Sequence, residues 1–354
     1  MPKKREHTQA IRDFILANVE QHPKDIARVA AERFGTSRQS IARHLRALVA
    51  DNLLAASGNT KAREYSLKDF VHEQFALDVA SELTEDREWR VRILPRMDGL
   101  PENVRDICHY GFTEMFNNVL DHSSSPTIAF SVKRNAVRTL LLVADEGVGI
   151  FNKIQSDFNL SDPRHALLEL CKGKLTSDPH SHTGEGVFFT SRMFDQYVIL
   201  SGTLFFTRMN PIDQDFLVDV EDLVEPTQGT VVRMTIKNNS PLVASEVFGR
   251  YTAGSDDYGF AKTVVPVRLA QYEGEKLISR SQAKRLVARF DRFLEVALDF
   301  QGVTEIGPAF ADEIFRVYQN EHPNVHLYPL NANLPVQQVI QRVQRGEIQL
   351  PSWP

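Results

Sequence analysis

Apolar positions along this chain recur with a helical period in some stretches and a period of two in others, and the changes of period divide it. Ile11, Phe14, Ile15 and Val19 fall on one face of a helix over Thr8–Val19, and a shorter helix over Asp25–Phe34 is closed by Gly35. Capped by Thr36 or Ser37, a third helix turns Ile41, Leu45 and Leu48 inward and Arg38, Gln39, Ser40, Arg43, His44 and Arg46 outward. Leu53–Leu67 reads as a hairpin around Ser57-Gly58-Asn59, with Lys61 and Arg63 on it. A connecting helix is predicted over Phe70–Leu83, a first strand at Glu88–Leu94, and a helix from Glu102 that carries or leads into Glu114. Further strands are predicted at 139–145, Val198–Asn210, Phe216–Val224 and 229–236. In the last third, Ser279–Phe293 is an amphipathic helix, followed by a buried strand from Leu294, a helix reaching Phe315 and a strand at Val325–Leu330.

Four stretches carry chemistry. In Glu114-Met-Phe-Asn-Asn-Val-Leu-Asp-His122, residues Glu114, Asn118, Asp121 and His122 fall within about 100° on a helix. Met115, Phe116, Val119 and Leu120 fill most of the rest. The stripe faces either a cavity or simply water. Asp145-Glu-Gly-Val-Gly-Ile150 is an apolar strand ending in an acid and two glycines, where backbone comes close to something. Thr183-Gly-Glu-Gly186 opens a helix whose free N–H groups and dipole suit phosphate oxygens. Gly229-Thr230 starts an alternating strand.

In this order the four stretches resemble the nucleotide-binding boxes of the GHKL ATPase superfamily: gyrase B, the large heat-shock chaperones, histidine kinases and MutL-type repair proteins. The resemblance covers roughly residues 85–240. It implies an α/β-sandwich domain of the Bergerat type binding ATP and Mg²⁺, with a lid over about 151–183. It also implies that Asn118 holds the Mg²⁺, Asp145 accepts from the adenine amino group, and Gly147 and Gly149 shape that turn. Gly184, Glu185 and Gly186 then form the phosphate-facing turn, Thr230 supports Asp145, and Glu114 stands where hydrolysing members activate water. Lys172 and Lys174 could reach phosphates from the lid, or belong to a solvated one. His180 and His182 lack a third ligand for a metal. His72 and His109 lack the helical hairpin that a phosphoacceptor of a histidine kinase needs, which argues against autokinase activity.

Charge separates the chain further. Residues 1–68 hold 13 Lys/Arg against 7 Asp/Glu (+6), and the remainder 28 against 39 (−11), for the net −5 of the 354 residues. A basic head on an acidic body points to nucleic acid. The head resembles the winged helix-turn-helix domains of bacterial regulators, which implies double-stranded DNA as partner. Arg38, Gln39, Ser40 and Arg43 would meet base edges or phosphates, and Lys61 and Arg63 the backbone or minor groove. Such domains also mediate protein contacts. The composition, 42% hydrophobic and 25% charged, is that of a soluble globular chain. With no signal peptide and two isolated cysteines, Cys108 and Cys171, a cytoplasmic location is expected.

The C-terminal pattern resembles STAS and STAS-like domains, and their phosphorylatable serine falls on Ala309 within Ile306-Gly-Pro-Ala-Phe310. A docking surface for this chain or a protein partner follows better than a phosphorylation switch. The expectation is thus a multidomain α+β protein: winged helix 1–68, connecting helix 69–84, GHKL domain 85–240 and a small α/β STAS-like domain 255–354. Its expected function is an ATP-gated, DNA-binding regulator, with an anti-sigma-type serine/threonine kinase or a slow switch ATPase as alternatives. A homodimer is in keeping with the winged-helix and GHKL resemblances.

Overall fold

The computed structural model describes residues 2–59, 62–80, 82–175, 184–210, 214–219, 227–254, 257–271 and 275–345. It is a mixed α/β, multidomain structure. The first unit packs three helices, Pro2–Asn18, Ile26–Phe34 and Arg38–Ala50, around Ile11, Ile15, Ile41, Leu45 and Leu48. Its helix ends are set locally. Gly35 takes the left-handed conformation (φ 60°), and the Ser37 hydroxyl accepts from the Ser40 N–H. A hairpin of Leu54–Ser57 and Glu64–Leu67 follows. Lys61 lies outside the described residues.

Only Lys68, Asp69 and Phe70 separate that hairpin from a seven-stranded antiparallel sheet. Its spatial order is 71–78, 127–134, 138–145, 227–237, 196–202, 204–209 and 214–219. Two expectations are corrected here, and they exchange places. The predicted connecting helix contains the edge strand Val71–Asp78, whose Val71, Glu73, Phe75 and Leu77 turn to the more covered face while His72, Gln74, Ala76 and Asp78 are exposed. The predicted strand at Glu88–Leu94 is instead helical: a turn at Glu85–Glu88 widening into a π turn over Trp89–Ile93. Trp89 and Ile93 are both buried at i,i+4 spacing, and Arg92 pairs with Glu88 at 2.6 Å over the same spacing. The predicted Val198–Asn210 is divided into strands 196–202, which starts two residues earlier, and 204–209, and 214–219 overlaps Phe216–Val224, whose last five residues lie outside the described chain.

One face of the sheet is covered by helices Glu102–Asn118 and Gly186–Met193, and Ile128, Phe130, Val143, Tyr197 and Met234 belong to the core so formed. The third unit is a parallel sheet of Lys262–Pro266, Glu295–Asp299 and His326–Leu330 with helices Arg280–Val287, Pro308–Asp312 and Leu334–Gln344. Ser279 caps the first of these in a reciprocal arrangement with Gln282. Buried apolar residues run unbroken from the large sheet into this unit, whereas those of the N-terminal unit form a separate cluster.

Candidate functional site

Helix Glu102–Asn118 buries Val104, Ile107, Phe112, Met115 and Phe116, which leaves Glu114, Asn117 and Asn118 on its other side. The helix then widens into a π turn over Val119–Ser123 that carries the polar stripe on to Asp121 and His122. All five polar residues line one cavity of about 500 Å³. Strands 138–145 and 227–237 add Val143, Asp145, Thr230 and Val232, and Asp145 lies directly opposite Thr230 in the register. A helix at Ile150–Asp157 and another at Arg164–Lys172 cover the cavity with Ile150, Ile154, Phe158 and Leu170. Gly184, Gly186 and Phe188 close the remaining side. Thr183 lies outside the described residues, as do His180 and His182.

Asp145 is only 8% exposed. Burial pushes its carboxyl pKa up from the ordinary range, while the backbone N–H groups of Gly147 and Thr230 pull it back. The Gly147 N–H donates to Asp145 Oδ1 at 2.8 Å, and a Cβ on Gly147 would stand 2.0 Å from the Ser123 carbonyl. The turn therefore closes only with glycine there. Thr230 supports this loop by accepting the Ile150 N–H at 2.9 Å. Across the cavity, a Cβ on Gly186 would meet Glu114 Oε2 at 2.0 Å, so the missing side chain makes room for that carboxylate. Buried Asp145 and the half-covered Glu114 thus stand on walls built from separate parts of the chain.

Glu114, Asn118, Asp145, Gly149, Gly184, Gly186 and Thr230 all line the cavity. Gly147 stands behind it, bonded to Asp145, and Glu185 is half-buried without lining it. Burial raises the Glu185 pKa, with Lys174 opposing. Sequence reasoning missed Lys153 and Asp157, which line the cavity and pair at 2.6 Å. Their i,i+4 spacing on a helix following Ile150 was a readable signal. Lys172 and Lys174 do not reach the cavity. Lys172 is fully buried beside Glu169, and Lys174 donates to the Arg292 carbonyl at 2.9 Å with its ammonium near the Phe260 and Phe293 rings. Burial explains this correction: each lysine stem packs against the third unit rather than extending into water.

On the N-terminal unit, Arg38, Gln39 and Arg43 are exposed together on the third helix, with Ser40 half-exposed beside them. Arg63 is exposed on the hairpin, its guanidinium 5.7 Å from the Tyr65 ring.

Residues 282–337 match the family described as a STAS-like domain of unknown function (DUF4325). The matched segment begins inside helix Arg280–Val287 and ends inside helix Leu334–Gln344, so it spans most of the third unit. This part of the chain is STAS-like. No curated protein is matched by the chain. Among the described residues no helix is long and apolar enough to cross a membrane.

Proposed function

We propose that the cavity binds Mg-ATP in the manner of a GHKL domain, and that residues 1–68 bind double-stranded DNA as a winged helix-turn-helix. The protein is then a regulator in which nucleotide changes how the basic head meets DNA. The observation that carries this reading is the convergence of the four separated sequence stretches on one cavity. Its residues suit the ligand. A buried acceptor such as Asp145 discriminates in favour of a donor like an amino group, because leaving it unpaired costs more than pairing it gains. Gly184 and Gly186 offer backbone where phosphates would approach. The described cavity wall holds more carboxylates (Glu114, Asp121, Asp145, Asp157) than cations, so a polyphosphate would enter with a counter-ion. Among the described residues no group of three His, Cys, Asp or Glu is arranged to hold a metal. Mg²⁺ would accordingly be held by Asn118 together with the phosphates, the way this ion prefers few protein ligands. The Mg²⁺ would neutralise phosphate charge.

Glu114 beside Gly186 favours a second reading, turnover of the nucleotide. The turnover would be slow hydrolysis, or transfer to a serine or threonine of a partner as in anti-sigma kinases, with the STAS-like domain as partner surface. A carboxylate there can take a proton from an attacking hydroxyl. Glu114→Ala should retain ATP binding and lose turnover, and equal turnover by the variant would end this reading.

The test of the main proposal is binding of genomic DNA fragments with and without Mg-ATP at fixed salt, since phosphate contacts make affinity salt-dependent. Selective fragments should respond to ATP in the wild type and not in Asn118→Ala. Replacing Arg38 and Arg43 by Ala should weaken binding and lower its salt dependence. Binding that is unselective in both states would overturn the regulator reading.

A further inference from the structure

We propose that the C-terminal STAS-like unit acts in cis as a brake on the cover of the cavity, so that nucleotide exchange requires its grip on helix Arg164–Lys172 to loosen. This rests on the reading of the cavity as a nucleotide site.

The grip is reciprocal. Lys172 leaves the end of the cover helix and donates to the carbonyls of Arg285 (3.2 Å) and Ala288 (3.0 Å), at the end of helix Arg280–Val287. Arg289 returns from just beyond that helix, in the left-handed conformation (φ 67°). It donates to the carbonyls of Gly173 (3.1 Å) and Lys174 (2.5 Å), just past the end of the cover helix. Each unit thus supplies a cation to carbonyls at the other's helix C-terminus, the negative end of the helix dipole, where backbone carbonyls run out of intrahelical partners. Glu169 takes both charges, 2.6 Å from Lys172 and 2.5 Å from Arg289. Thr263 adds a hydrogen bond of 2.8 Å to the Lys172 carbonyl.

The same elements reach the cavity. Leu170, next to Glu169, and Leu175, next to Lys174, line it. The Arg289 guanidinium stands 5.4 Å from the ring of Phe158, which also lines it. One face of the cover therefore meets the cavity while its end is held by a unit whose contacts lie 116 residues further along the chain. A packed joint of buried ion pairs and carbonyl bonds does not deform by degrees, so it moves as a docked or undocked unit. By linkage, a nucleotide that favours the docked cover must in turn strengthen docking. With Ala309 at the STAS serine position, release would be governed by partner binding to the STAS-like unit rather than by phosphorylation there.

The experiment is stopped-flow release of a fluorescent ATP analogue, loaded with Mg²⁺ on the full chain and chased with excess ATP. It is run on the wild type, on Arg289→Ala and on the milder rim variant Arg292→Ala, which removes one bond to the Lys174 carbonyl. Hydrogen exchange of amides 164–175 is followed in parallel. Release should accelerate about tenfold or more in Arg289→Ala, within the usual range of coupling between sites, and less in Arg292→Ala. Unchanged release in both variants, while the cover amides exchange faster, would overturn the brake. A wild type that binds no nucleotide would overturn the nucleotide reading instead. The grip is then judged by exchange alone: faster exchange across 164–175 in Arg289→Ala supports it, and unchanged exchange removes it.

Discussion

Two buried carboxylates, Asp145 at 8% and Glu169 at 4% exposure, face opposite fates. Glu169 is clasped by Lys172 and Arg289, which also donate to the carbonyls around it. Among the described residues, Asp145 accepts from the backbone N–H groups of Gly147 and Thr230, with burial holding its pKa above the ordinary range. A buried charge that is fully paired fixes two parts of a fold together; one bonded only by backbone amides keeps capacity for a ligand donor. The first is a joint and the second a candidate site. Burial alone does not separate them, and their neighbours do.

The largest expected effect breaks the joint. Glu169→Ala strands two buried cations and should cost about 3–5 kcal/mol, whereas replacing Glu169, Lys172 and Arg289 together by Leu, Met and Met should cost far less. Denaturant unfolding with hydrogen exchange at 164–175 checks this, and equal losses in both cases would mean that the charges are not coupled. Next comes the turn beneath Asp145. Gly147→Ala drives a Cβ against the Ser123 carbonyl, a backbone atom that cannot step aside, and should cost about 1–3 kcal/mol in thermal unfolding.

The titration of Asp145 sharpens the contrast. Its folded pKa lies above the unfolded one, so its favourable contribution is complete below the ordinary carboxylate range and is lost as pH rises through the folded value. Wild type should therefore lose stability relative to Asp145→Asn between about pH 4 and neutrality. A constant difference across that range would show that the carboxylate is not desolvated. Gly186→Ala should have the smallest effect on stability, because its Cβ meets the movable end of Glu114. Its consequence should appear as altered nucleotide turnover with an unshifted melting temperature.

Much of the candidate site was legible because each stretch carries its own local logic. The stripe Glu114, Asn118, Asp121, His122 follows from helix geometry, and the glycines at 147 and 186 follow from close approach. Lys153 and Asp157 were overlooked although their spacing was visible. The exchange of helix and strand at Val71–Asp78 and Trp89–Ile93 has a common cause. Both segments are short, and both fit either period: Glu, Gln, Ala and Leu lent the first a helical composition, while Trp89-Arg-Val-Arg-Ile93 alternates like a strand. Packing against the sheet edge and against helix Glu102–Asn118 decided between them.

By itself, the sequence determined the capped helices of the basic head, the order of the four polar stretches, the alternation of the sheet strands and the STAS-like pattern near the C-terminus. Those features depend on residues a few positions apart, whose hydrogen bonds and faces are settled within one element. The tertiary structure alone decided that Lys172 and Lys174 turn away from the cavity, that Glu169 has Arg289 as partner, and that the cover helix is held by the third unit. A lysine at a helix end can enter water, a ligand site or a neighbouring unit with nearly the same local geometry. Which of these is lowest in free energy depends on carbonyls and rings supplied from elsewhere in the chain, and no local pattern encodes them.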